Sequence, residues 1–196
     1  MNARLALILH CCCLATLGRG APLVRTRRDA EEQARSLVAK ILRDIPAAHD
    51  ASVTVTGFVL RQVPSNLQFM ARSLDIPPAP VLRAQDATFT KEMCLERIAE
   101  GLQLHLRLLE AVRARLNSAA VISNLEANIK DLLVQIRKME GWSSTSNGVR
   151  STVTDLSSRL TGDYEVQVAA HLTLSQLLSF TQNVSRSLHN ITHHKA

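Results

Sequence analysis

Aromatic side chains are scarce in this chain of 196 residues, at 3%. That scarcity argues against a β-sandwich, whose strands draw on such residues, and against stacking-based binding of nucleic acid. Long apolar runs are also missing after the first twenty residues. No later segment approaches the ~18 uninterrupted apolar residues a membrane-spanning helix needs, so no membrane insertion is expected. No nucleophile elbow, phosphate loop or HExxH motif is present. Paired carboxylates placed for acid–base work are not evident, and Glu31-Glu32 reads as charge at a helix start. An enzyme is therefore not expected, and no cofactor is called for.

Cysteine is short in an informative way. Cys11, Cys12 and Cys13 lie within a segment, residues 1–20, that reads as a secretory signal peptide. Arg4 supplies its positive start and Leu5 to Leu17 its largely apolar run. Gly18 and Gly20 are small residues suited to cleavage before Ala21. Removal of Arg4 and Arg19 with that leader lowers the net charge from +6 to +4. Cys94 then stands alone, either buried and inert or paired with another chain, and packing must supply the stability. A secreted, extracellular protein is expected. Its basic balance suits an acidic surface such as sulfated glycans, although spread-out lysines and arginines more often form an ordinary solvated face.

What the chain does have is helical periodicity, in four long segments that predict an all-α fold. The first spans Asp29 to Ile45. Ala30, Ala34, Leu37, Val38, Ile41 and Ile45 share one face there, acids occupy the first turn, and Pro46 is the predicted stop. A connector from Ala47 to Thr88 follows. Val53, Val55, Val59 and Leu60 suit a short extended piece. Ser65 to Leu74 suits one or two helical turns with Leu67, Met70 and Leu74 inward, and Pro77, Pro78 and Pro80 forbid helix after that.

The second helix is predicted over Thr90 to Leu116. Its stripe of Leu95, Ile98, Leu102, Leu106, Leu109, Val112 and Leu116 is widened by Leu104 and Leu108, the mark of a central position. The third covers Ser118 to Glu140 with Ile122, Leu125, Ile129, Leu132, Leu133, Ile136 and Met139 on one face. Trp142 to Ser151 reads as a loop. The fourth runs from Thr152 to Ile191, with Gly162 loosening it midway. A polar tail, residues 192–196, ends the chain.

A long first connection and a short second one predict a long-chain four-helix bundle over residues 21–191, up-up-down-down with a long first crossover. Parallel third and fourth helices need a crossover of roughly 35 Å, from ~1.5 Å per residue of the third helix. Trp142 to Ser151 reaches that only when nearly extended, so either Thr152 to Gly162 contributes or the topology fails.

Several segments together resemble the long-chain class I helical cytokines of the interleukin-6 group. They are Ala21-Pro22-Leu23 at the expected mature start, Leu74-Asp75-Ile76-Pro77-Pro78-Ala79-Pro80 in the connector, Cys94-Leu95 through Gly101-Leu102 to Leu108-Leu109-Glu110-Ala111-Val112, and Val168-Ala169-Ala170-His171-Leu172. The likeness covers nearly the whole mature chain. It departs at Pro78, where a tryptophan is usual. It departs again at Ala84, which replaces the partner of Cys94, and at Thr56 and Gln62, which replace a second cysteine pair. The long connector is thus left unclipped and the lineage reads as divergent.

The resemblance implies binding to a class I cytokine receptor ectodomain and the joining of two receptor chains. By position it puts a main receptor face on Lys40, Arg43, Asn128 and Asp131, with Ala39 where a glutamate is usual. It puts a second face on Asn66, Gln68 and Phe69. An interleukin-6-like protein using a different receptor, and a secreted carrier of an apolar ligand, stay open beside it.

Other signals are weaker. Asn183-Val184-Ser185 and Asn190-Ile191-Thr192 are N-glycosylation sequons. Arg25-Thr26-Arg27-Arg28 is either a processing site or a basic lead-in. His189, His193 and His194 lack cysteine or carboxylate companions, so no metal site is expected. His171 is expected against the helices with a hydrogen-bond partner.

Overall fold

In the computed structural model the described residues are 22–62, 64–82, 90–116, 119–140 and 156–193. The predicted signal peptide, Ala84, the Trp142 to Ser151 loop and residues 194–196 lie outside them. Among the described residues there are six helices and no strand: α1 (Pro22–Ser52), α2 (Ser65–Ser73), α3 (Lys91–Arg113), α4 (Ala119–Glu140), α5 (Leu156–Arg159) and α6 (Asp163–His193). The fold is all-α. None of these helices is long and apolar enough to cross a membrane.

α1 is longer than its periodicity predicts. Pro22 opens it, at a position where a missing N–H costs nothing. Asp29, Glu31 and Glu32 therefore sit inside the helix and not in its first turn. Pro46 does not stop it either. The ring lies on the exposed side, and the helix continues because Ala48, His49 and Ser52 beyond it are buried. Burial on the far side outweighs a proline penalty of about 3 kcal/mol.

α2 stands where the connector was expected to turn helical, with Leu67 and Leu74 buried and Met70 half-buried. It ends in a Schellman motif. The N–H of Ile76 donates to the Ala71 carbonyl at 2.9 Å, and that of Asp75 to Arg72 at 3.1 Å. Asp75 takes the left-handed position usual for glycine, at φ 54°. Val53 to Leu60 forms turns and no strand.

Thr90 caps α3 by accepting from the Met93 N–H at 3.2 Å, as a threonine before an apolar run should. Its buried positions include Leu95, Ile98, Leu102, Leu104, Leu108, Leu109 and Val112, so apolar surface covers more than one face. Arg113 Nε meets Glu126 Oε1 at 3.0 Å beside the short link to α4, and Glu126 is buried there. Residues 160–162 before α6 are not helical, so Gly162 lies ahead of one helix and does not bend the middle of another.

α1 packs on α4 and α6, and α3 packs on the same two helices. Arg35 donates to the Leu188 carbonyl and His49 meets His171, so residue numbers rise along α1 as they fall along α6. The core has two parts. One unites α1, α4, α3 from Cys94 to Leu102 together with Leu109, and α6 from Leu174 onward. The other unites α2, α5, the second half of α3 and the first half of α6.

Gly101 shows how closely α3 and α6 approach. A Cβ there would overlap the ring of Phe180, which is buried. Glycine costs helix propensity at this point, yet only glycine leaves room for the ring. Gly101→Ala is expected to lower unfolding stability by about 1–3 kcal/mol. Urea denaturation checks this, and an unchanged midpoint contradicts the close approach.

Candidate functional site

The residues expected on the main face gather around one buried amide. Asn128 projects from α4 toward α1 and is only 6% exposed. Its Oδ1 accepts from Lys40 Nζ at 2.8 Å, and its Nδ2 donates to Asp44 Oδ2 at 3.1 Å. Both polar atoms of the amide are thus used between helices. Asp44 in turn lies 4.0 Å from Arg43 Nε, whose side chain is 75% exposed. The outward face so formed presents Lys40 and Arg43 with Asp44 between them.

This corrects the place of Asn128. It is a buried strut holding Lys40 and Asp44 in position, and not a member of an outward surface. Asp131 is exposed one turn further along α4, with no side-chain bond to the cluster among the described residues. Asp44 joins the cluster through Asn128, and its i+4 spacing from Lys40 was its signal in the sequence. Glu31 is engaged elsewhere, with Arg35 at 3.1 Å.

On the second face, Gln68 and Phe69 project from the outer side of α2, and Phe69 is 72% exposed. The side chain of Asn66 lies outside the described residues. Tyr164, at the start of α6, is half-exposed with its ring 6.4 Å from that of Phe58. In so aromatic-poor a chain, an aromatic opening a helix is the signal that marks it.

A chain of buried imidazoles ties α1 to α6 and to the connector. His171 Nε2 donates to the Gln62 carbonyl at 3.0 Å. Its Nδ1 is then free to accept from His49 Nε2 at 2.9 Å. His49 Nδ1 lies 3.7 Å from Asp50, and Phe58 packs on His171 with ring centroids 4.9 Å apart. Burial pushes both imidazoles below their ordinary range; Asp50 partly offsets this at His49, and the Gln62 carbonyl at His171. His105 is fully enclosed. It donates from Nδ1 to the Gly101 carbonyl at 2.6 Å and stacks on Phe180 at 5.1 Å. Burial holds its pKa down at about 4.

Cys94 is buried as a free thiol, with Sγ 4.0 Å from the Leu82 carbonyl, and burial pushes its pKa up. Asn183 and Asn190 are both exposed on α6. The helix continues through His193, so Asn190 lies within it. Thr26 to Arg28 are likewise helical, while the side chain of Arg25 lies outside the described residues. No group of three metal-binding side chains occurs among the described residues.

A scan against protein-family models and a search of curated proteins return no match to this chain.

The imidazoles generate a pH dependence. Unfolded, each takes a proton near pH 6.5; folded, each does so only at lower pH. The unfolded chain then holds more protons, so stability is full above pH 6.5 and falls as the pH drops. For His105 the fall extends to about pH 4 and amounts to about 3 kcal/mol. Chemical denaturation between pH 7 and pH 4 measures it, and His105→Leu should flatten the curve. Parallel curves for both proteins contradict the assignment.

Proposed function

We propose that this protein is a secreted helical cytokine of the granulocyte colony-stimulating factor type. It binds a class I cytokine receptor ectodomain, brings two receptor chains together, and signals growth, differentiation and survival of granulocyte-lineage cells through JAK/STAT. The observation that carries this reading is the order of the helices. α1 and α6 run in opposite senses, as the Arg35–Leu188 and His49–His171 contacts require. Gly101 faces Phe180, while Val112 of α3 shares the second part of the core with Val168, so α3 also opposes α6. The Arg113–Glu126 pair beside the short link makes α3 and α4 a hairpin. These senses support the up-up-down-down four-helix bundle, with a long connector between α1 and α3 and residues 156–162 contributing to the last crossover.

Rigid helix faces do the work in this reading. Lys40 and Arg43 present charge on α1, Asp131 on α4, and Gln68 and Phe69 form the second face. Charge at such a rim governs on-rate more than it governs affinity. The missing acid at Ala39 and the burial of Asn128 favour a second reading, an interleukin-6-like protein that uses a different receptor. Pull-down against both receptor ectodomains separates the two.

Replacing Arg43 and Asp131 together by alanine should weaken receptor binding by about tenfold, mostly through association rate, with helicity unchanged. Surface plasmon resonance and circular dichroism read the two effects. Unaltered kinetics would move the receptor face elsewhere. Absence of STAT phosphorylation in receptor-bearing cells treated with the wild-type protein would remove the cytokine reading.

A further inference from the structure

A cleft of about 410 Å³ opens between α2, the segment around Pro78, and the middle of α6. Its chemistry is one-sided in charge. Arg61 and Arg72 line it, no carboxylate does, and neither arginine has an ion-pair partner among the described residues. Both are exposed.

Arg61 is also held in an uncommon conformation. Its backbone is left-handed at φ 78°. A turn bond from the Gln62 N–H to the Val59 carbonyl at 2.9 Å closes the loop around it, and His171 anchors the next carbonyl. The wall from α6 carries unused polar groups. Ser175 is 4% exposed, and its hydroxyl has no hydrogen-bond partner among the described residues. Gln176 spends its amide N–H on the Pro77 carbonyl at 2.9 Å, and its buried Oε1 has no donor among the described residues.

A ligand that completes this cleft brings anionic oxygens for two guanidinium groups and hydroxyl donors for an orphan carbonyl. Guanidinium forks match sulfate or carboxylate oxygens two at a time. A bare inorganic anion answers the arginines and the serine but offers Gln176 nothing. A peptide carboxylate brings N–H donors for Gln176 but only a single pair of anionic oxygens for the two guanidinium groups. A sulfated sugar supplies both halves, and a pyranose ring also covers the apolar floor made by Ala71, Ile76 and Leu172.

We infer that this cleft binds a sulfated saccharide, met either on a cell-surface glycan chain or as a free oligosaccharide. The inference rests on the secreted reading only for where such a ligand is encountered. Binding itself is measured without any receptor, so the two stand or fall separately.

The test uses the secreted protein and immobilised heparin-derived oligosaccharides at about physiological ionic strength, 0.15 M. Arg61→Gln with Arg72→Gln should weaken binding by about tenfold or more, since two charge-assisted contacts are lost. Lys138→Gln with Arg186→Gln, matched in charge but on other surfaces, should stay within about twofold, because it tests only the general field of the molecule. Soluble free oligosaccharide should compete as well as an equal amount of surface-attached chain, and desulfated heparin should not compete. Equal loss in both double variants means diffuse charge attraction and overturns the proposal. So does undiminished binding by Arg61→Gln with Arg72→Gln. Competition by inorganic sulfate as strong as that of the oligosaccharide, sulfate for sulfate, reduces the cleft to an anion site and overturns the saccharide assignment.

Discussion

Enclosing α3 is the constraint on which the rest of the structure depends. Its apolar surface extends beyond one stripe, so a single neighbour cannot cover it. α4 covers one side and α6 covers another, and α1 completes the core by packing on both of those. At roughly 25 cal/mol per Å² of apolar area buried, this enclosure supplies the main driving force in a chain whose one described cysteine is a free thiol. Gly101 is the clearest sign that the enclosure is close. A position that would favour alanine on propensity holds glycine so that Phe180 can lie against the α3 backbone.

The connector between α1 and α3 is fastened by polar contacts to its carbonyl groups. His171 donates to Gln62, Gln176 to Pro77, Arg97 to Val81, and Arg159 to Ser73. Three of the four donors project from α5 or α6. Prolines in this stretch cannot donate, so their carbonyls and those of their neighbours are satisfied by side chains from the helices. Each such bond contributes about 1 kcal/mol net, and together they pin the segment at several points along its length. A disulfide would pin it at one. The dispersed arrangement follows the shape of the helices, and its strength depends on protonation where an imidazole is the donor.

Much of this was legible in the sequence because it depends on spacing. Leu95, Ile98, Leu102 and Leu109 recur at helical intervals and are buried, as are Ile122, Leu125, Ile129 and Ile136 on α4. Leu67 and Leu74 announced α2 for the same reason. Features set by distant contacts were not legible. Pro46 reads locally as a stop, and only the burial of Ala48 and His49 explains why α1 goes on. Asn128 reads as a surface polar residue, because nothing within its own helix reveals that Lys40 and Asp44 arrive from α1. His105 lies on a face already rich in leucine, and its stacking on Phe180 joins residues far apart in the chain.

The buried Asn128 also changes what Lys40 and Asp44 are as surface groups. A free lysine loses up to about 2 kcal/mol of rotamer entropy when a partner immobilises it. Here the Nζ of Lys40 is already held at 2.8 Å by an amide that cannot itself move, since its other end is bonded to Asp44. Part of the ordering cost of any encounter at this face is therefore met during folding. Arg43, by contrast, is exposed and touches Asp44 only at 4.0 Å, so the ordering is confined to Lys40 and Asp44. A substitution of Asn128 by aspartate would leave the shape nearly intact and keep an acceptor for Lys40, but would bring a buried negative charge against Asp44 and release that side chain from its present place.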